Sequence, residues 1–219
     1  MSTKGILAGW IRMVCVLAAC GCMMTGCEDS SDSSSATSFL FGDNDPRVVV
    51  AMGDSVTEGS AVSGPSYPQL VAQMSGKTVI NDGRGGVLSS YGAGRIGDVL
   101  AAYRPGYVFI LYGINDLTHG QSHAWTVENL RLMIRTARQN KTYPIVGTIT
   151  PRYRTAGLFN PNHEALNMSI RSLCEEENVR MADVERAFDN NPALLQPDGM
   201  HPNEDGNLVV AMVFYEAMR

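Results

Sequence analysis

The chain has 219 residues, with 17 basic against 22 acidic side chains and a formal net charge of −5. It contains no basic block, and this acidic balance excludes nucleic acid or an anionic lipid surface as the main partner. Four of the five cysteines, at positions 15, 20, 22 and 27, lie in the leader, so no internal disulfide framework can brace the rest of the chain.

Lys4 and Arg12 precede the apolar run Met13 to Met24, which reads as the basic and hydrophobic regions of a signal peptide over residues 1–26. The run falls short of the roughly 20 apolar residues a membrane-spanning helix needs, and Gly21 interrupts it. Cys27 follows Met24-Thr25-Gly26 and precedes an acidic, serine-rich tract, so the segment resembles a bacterial lipoprotein signal with lipidation at Cys27. Leu17-Ala18-Ala19-Cys20 fits the lipidation pattern better by sequence but leaves a shorter hydrophobic region, and a plain cleaved signal peptide is the third reading. All three imply export, to the periplasm or cell surface. A lipid anchor would make the membrane a partner, held stably by several acyl chains and weakly by one.

Residues 27–44 read as a tether, because Glu28 to Ser38 is too polar and aperiodic to bury apolar surface. Counted from Cys27, 17 − 2 = 15 basic residues face 22 acidic ones, a formal charge of −7. Residues 45–219, roughly 175, suffice for one domain with a single core.

Short β-branched runs alternate with amphipathic stretches along this domain. The predicted strands are Val48 to Met52, Thr78 to Ile80, Tyr107 to Tyr112, Ile145 to Ile149 and Val179 to Ala182. The predicted helices are Tyr67 to Met74, Arg95 to Tyr103, Val127 to Asn140, Glu164 to Glu177 and Glu204 to Met218. Continuous apolar strands separated by helices imply α/β architecture, with an about five-stranded parallel sheet between two helical layers. Every strand-to-helix loop then opens on one edge of the sheet.

The first such loop is Gly53-Asp54-Ser55-Val56-Thr57-Glu58-Gly59, which places Ser55 where open parallel sheets hold their ligand crevices. Asp54, Ser55 and Thr57 could equally turn the chain and cap a helix. A serine nucleophile needs a base to take its proton and an acid to orient that base. His201 and Asp198, three residues apart in Asp198-Gly199-Met200-His201, supply both. Donors for an oxyanion are available from the Ser55 and Gly86 backbone and the Asn115 amide. Asn81-Asp82-Gly83-Arg84-Gly85-Gly86 and Gly113-Ile114-Asn115-Asp116 are the loops after strands two and three.

These blocks, in this order, resemble the SGNH (GDSL-like) serine hydrolase family from about residue 47 to 219. The resemblance implies a three-layer α/β/α sandwich of flavodoxin-like type and hydrolysis of esters or thioesters through an acyl-serine, with no cofactor and no metal. It also implies a Ser55, Asp198, His201 triad, with Gly86 and Asn115 completing the oxyanion hole. Val56 stands where leucine is commonest in the family, and the G-x-S-x-G elbow of the unrelated α/β-hydrolase fold is absent. Deacetylation of a polysaccharide suits an exported enzyme with polar loops. A lysophospholipase or thioesterase, or a non-catalytic glycan-binding lipoprotein, are the alternatives.

Gly92-Ala93-Gly94-Arg95-Ile96-Gly97 matches a dinucleotide fingerprint, but no strand immediately precedes it, so it reads as a loop leading into a helix. His119 and His123 read as exposed loop residues rather than metal ligands, and His163 as a surface residue at a helix start. Cys174 lies in the amphipathic stretch Leu166 to Glu176 and reads as a small buried hydrophobe. Arg152, Tyr153, Arg154, Leu158 and Phe159 share the loop after strand four. Tyr153 and Phe159, with Asp54, are the candidate substrate contacts.

Overall fold

The computed structural model describes residues 39–60, 62–153 and 161–219. Five strands, β1 Asp45–Gly53, β2 Thr78–Gly83, β3 Pro105–Leu111, β4 Tyr143–Gly147 and β5 Arg180–Ala182, form one sheet in the order β2-β1-β3-β4-β5. All four pairings are parallel. The helices are α1 Ser55–Glu58, α2 Tyr67–Ser75, α3 Ser89–Tyr103, α4 Ile114–Thr118, α5 His123–Gln139, α6 Pro161–Glu176, α7 Val184–Phe188 and α8 Glu204–Met218. A 3-10 turn, Pro192–Leu194, precedes α8.

Helices α2 and α8 pack together on one side of the sheet, and α3 and α5 on the other, giving the expected α/β/α sandwich. Strands β1 and β3 are central, and Val49 to Met52 and Val108 to Ile110 are fully buried. A strand covered on both faces must be apolar throughout, so their β-branched runs carry no polar alternation. The chain winds outward in opposite senses from β1 and β3. The crevice at such a switch point lies beyond the strands' C-terminal ends, where β1 delivers Ser55.

Phe214 of α8 stacks between Tyr67 of α2 and Phe109 of β3, with ring centroids 5.1 and 4.7 Å apart. Each such pair adds about 0.5–1.5 kcal/mol beyond area burial, and together they fix the helix that follows His201.

Three boundaries differ from expectation. Phe39 and Phe41, expected in the tether, sit edge-on or tilted against Tyr143 and Tyr107 at 4.9 and 5.2 Å. Strand β2 continues to Gly83, taking in Asn81 and Asp82 that were expected in the loop. The Gly92 to Gly97 segment is not a loop: it lies inside α3. Gly92 faces Tyr112 so closely that a Cβ there would stand 2.7 Å from the ring. Ile96, Val99 and Leu100 of the same helix are buried. Tertiary packing thus outweighs the roughly 1 kcal/mol that each glycine costs a helix. Cys174 is buried as expected, and burial pushes its thiol up to about 12, away from nucleophilic duty.

Candidate active site

Asp54 accepts a hydrogen bond from the Val56 N–H at 3.0 Å and so caps the four-residue helix α1. Ser55 opens that helix, which leaves its own N–H without an intrahelical partner and aimed outward from a helix N-terminus. Its Oγ lies 2.9 Å from His201 Nε2. The other ring nitrogen, Nδ1, is 2.5 Å from Asp198 Oδ2. A carboxylate at Nδ1 holds the proton there, so Nε2 presents its lone pair to the serine hydroxyl.

Asp198 also shapes the turn that carries His201. Its Oδ1 accepts the Met200 and His201 N–H groups at 2.9 and 3.0 Å. Burial works against its charge, but the bonds from the His201 ring, Met200 N–H and His201 N–H hold the carboxyl below the usual range. Gly199 adopts φ +67°, and a Cβ there would run into the Tyr153 carbonyl oxygen, so the turn requires glycine.

The two remaining predicted donors come close to each other. The Asn115 amide donates to the carbonyl of Val87, next to Gly86, at 3.0 Å, which leaves its second N–H for a ligand. Gly86 has φ +74° and open space where a side chain would be. Asp116 anchors this loop by accepting the Ser89 N–H at 2.9 Å. The structure therefore brings the loops bearing Ser55, Gly86, Asn115, Asp198 and His201 to one sheet edge. That set can take a proton from an alcohol, bind an acyl carbon and hold an oxyanion.

The substrate contacts fare differently. Asp54 is only 2 % exposed, and its carboxyl is spent on the cap, so it faces the interior rather than a substrate. Tyr153 is partly buried against the core, and its N–H donates to Gly199 O at 3.0 Å, supporting the catalytic turn. Phe159, Arg154 and Leu158, like Cys20 and Cys27, lie outside the described residues. His163 is not a surface residue. It is 1 % exposed, with Nδ1 3.4 Å from Thr150 O, and burial pushes it down to about 4. His119 is exposed, with Nδ1 2.8 Å from Asn115 O, and His123 begins α5. Among the described residues, no group of three or more His, Cys, Asp or Glu side chains is placed to hold a metal.

Sequence reasoning missed Thr150, whose hydroxyl donates to Met200 O at 3.2 Å and ties the segment after β4 to the turn before His201. It also missed Asn203, which caps α8 through Gly206 N–H at 3.0 Å and so fixes the helix just beyond His201. The order Asn-x-x-Gly before a helix was a legible cap signal. Nothing in the sequence signals Thr150.

Asp54 gives a first prediction. Burial raises its carboxyl to about 7, against the Val56 N–H bond and the attraction of His201, with Asp116 reinforcing the rise. A raised carboxyl stabilises the fold fully only below its unfolded value near 4, and that contribution is lost as pH climbs through about 7. Asp54→Asn keeps the capping oxygen and removes the charge. In denaturant unfolding its stability should therefore gain on the wild type as pH rises from about 4 to about 8, by a difference on the order of a few kcal/mol. A difference that stays constant with pH would show that the carboxyl is not strained by its burial.

Comparisons with known proteins bear on the fold and the family. A GDSL-like lipase from Bacteroides thetaiotaomicron has a TM-score of 0.67 at 20 % identity, covering 79 % of this chain and 88 % of its own. A variant of an acetyl-xylooligosaccharide esterase from Geobacillus has a TM-score of 0.67 at 19 % identity, covering 80 % and 95 %. Both show a shared fold. By sequence, the thioesterase 1/protease 1/lysophospholipase L1 of Escherichia coli K12 is 25 % identical over 168 residues, 74 % of this chain and 79 % of that protein. The family model of GDSL-like lipases and acylhydrolases matches residues 51–209, a span from β1 through Ser55 and His201 into the last helix, and the chain belongs to that family of carboxylic ester hydrolases.

Proposed function

We propose that the protein is an exported, lipid-anchored serine esterase that removes a short acyl group from a carbohydrate. The observation that carries the catalytic part is the unbroken chain from Ser55 Oγ to His201 Nε2 and from Nδ1 to Asp198, at 2.9 and 2.5 Å. Ser55 Oγ attacks the ester carbonyl carbon while its proton passes to His201 Nε2. The carbonyl electron pair moves onto oxygen, which is held by the N–H groups of Ser55 and Gly86 and the Asn115 amide. Collapse expels the alkoxide, which takes the proton from Nε2 and leaves as an alcohol. Water then attacks the acyl-serine, giving its proton to His201. The second collapse returns that proton to Ser55 and releases the carboxylic acid.

Export and anchoring are supported by the basic residues and apolar run before Cys27. Among the described residues, no helix is long and apolar enough to cross a membrane, so in this reading membrane contact comes through the lipid at Cys27. The carbohydrate ester is supported by the neighbouring acetyl-xylooligosaccharide esterase fold. The E. coli relative's name favours a second reading, an acylhydrolase of thioester or lysophospholipid type. A fluorophosphonate probe should label the full-length protein at Ser55, and a panel from acetyl to palmitoyl esters should show its highest kcat/KM at the short end. Rising activity toward palmitoyl would select the second reading. A folded protein that fails to label would be a binding module.

A further inference from the structure

Strand β2 reaches α3 through residues 84–88, the loop that carries Gly86. An oxyanion donor is effective when its N–H is aimed before the charge develops, so that nothing has to reorganise at the moment of reaction. Gly86 cannot aim itself. It has φ +74°, open space where a side chain would be, and exposed neighbours in Arg84 and Gly85. Its direction is therefore set by whatever holds the two ends of the loop.

Three of those holds come from elsewhere in the sheet. Arg84 N–H donates to Gly53 O at 3.0 Å, the Asn115 amide donates to Val87 O at 3.0 Å, and Asp116 accepts the Ser89 N–H at 2.9 Å. Each fixes one point of the loop against β1 or α4. A fourth joins the ends of the loop to each other. Asp82, the penultimate residue of β2, meets Arg95 of α3 through Oδ2 and Nη2 at 2.5 Å. Among the described residues this is the one side-chain ion pair or hydrogen bond between β2 and α3.

Stability alone does not account for this pair. The Asp82 and Arg95 side chains are 9 and 21 % exposed, so both charges give up most of their water, and such a pair is often no better than two well-packed apolar side chains. What it supplies is direction. Half-exposed Tyr91 stacks on the guanidinium, with its ring centroid 5.3 Å from Arg95 Cζ. Arg95 Nη1 is buried and finds no hydrogen-bond partner among the described residues. The place of the guanidinium is thus set by Asp82 and by the Tyr91 ring.

Resting on the serine esterase reading above, we propose that Arg95 is a positioning residue of the oxyanion hole. Through Asp82 it locks the two ends of the 84–88 loop together and so keeps the Gly86 N–H aimed at the oxyanion. It takes no part in the proton relay of Ser55, His201 and Asp198. Its effect falls on the tetrahedral intermediate, and therefore on kcat rather than on KM.

The test uses the full-length protein with an aryl acetate as substrate and phenylboronic acid as inhibitor, since the tetrahedral boronate formed on Ser55 places an oxygen in the same hole. Arg95→Met keeps the length and helix propensity of the side chain and removes its charge. It should lower kcat by roughly 100-fold, the loss that a misplacement of about 1 Å brings, while KM stays within about 2-fold. Phenylboronate binding should weaken by a similar factor. The midpoint of activity against pH, which reports His201, should not move. Asp82→Leu combined with Arg95→Met removes both charges together, so no unpaired ion is left buried, and this variant folds even if the single one does not. It should show the same losses and no deeper ones, because the two side chains act as one unit.

Wild-type kcat and boronate affinity in either folded variant, or a loss confined to Tm or KM, would overturn the proposal and leave the serine esterase intact. A loss accompanied by a shifted pH midpoint would overturn it too, by placing the effect on His201. If the wild type neither turns over the ester nor labels at Ser55, the esterase reading itself falls, and the role of Arg95 with it.

Discussion

Replacing Ser55 by alanine is expected to lower kcat/KM toward a short acyl ester by roughly four to six orders of magnitude, with Tm essentially unchanged. The size follows from what is lost: no acyl-enzyme can form without Oγ, and the histidine and its acid then have no proton to relay. A residual rate above water is expected, because the oxyanion donors and bound geometry do not depend on the hydroxyl. The silence in stability follows from the structure. The Oγ bonds to His201 Nε2, while the backbone of α1 is held by the Asp54 cap and by the bonds from Glu58 N–H to Asp54 O and from Gly59 N–H to Ser55 O, both 2.9 Å. Alanine is also a good helix former. Steady-state turnover beside a thermal melt checks both halves. Substantial retained activity in a folded variant would remove Ser55 from the reaction.

That contrast between chemistry and stability also explains which parts of the site were legible in the sequence. Asp198 and His201 meet within one turn, so a spacing of three residues carries their partnership without knowledge of the fold. Ser55, Gly86 and Asn115 were readable for another reason. Each follows a β-branched run, and parallel topology sends all such loops to one edge. What stayed hidden depends on partners from other elements. Gly92 to Gly97 read as a loop leading into a helix, yet Asp116 holds the Ser89 N–H at the start of α3 and Tyr112 accepts the close approach of Gly92. His163 read as a surface residue because the Thr150 carbonyl beside it comes from a different element, the segment after β4. Asp54 read both as a cap and as a substrate contact. Only its burial separates the two, and burial is a property of packing rather than of local pattern.

Asp198→Asn should cost about four orders of magnitude in kcat, close to the loss expected when a triad acid becomes an amide and the histidine takes the wrong tautomer. Here the turn itself dictates that outcome. Oδ1 of residue 198 accepts the N–H groups of Met200 and His201, and an asparagine oxygen can still do so. Keeping those two bonds places the amide nitrogen where Oδ2 now meets His201 Nδ1. An N–H donated to Nδ1 drives the ring proton to Nε2, turning its lone pair away from Ser55. The variant therefore keeps its turn and loses its base. Activity within about 10-fold of wild type would mean that Asp198 serves the turn alone. The stability signature should run opposite to that of Asp54→Asn. The Asp198 carboxyl is held below its ordinary range despite burial, by the His201 ring and the two turn N–H groups, so its contribution is present above that range and lost as pH falls through the lowered value. The melting difference between wild type and Asp198→Asn should accordingly shrink toward acid pH, whereas Asp54→Asn gains most toward alkaline pH. Two neutralised aspartates on one sheet edge, with opposite slopes of Tm against pH, would separate the carboxylate that the site needs charged from the one the fold prefers protonated.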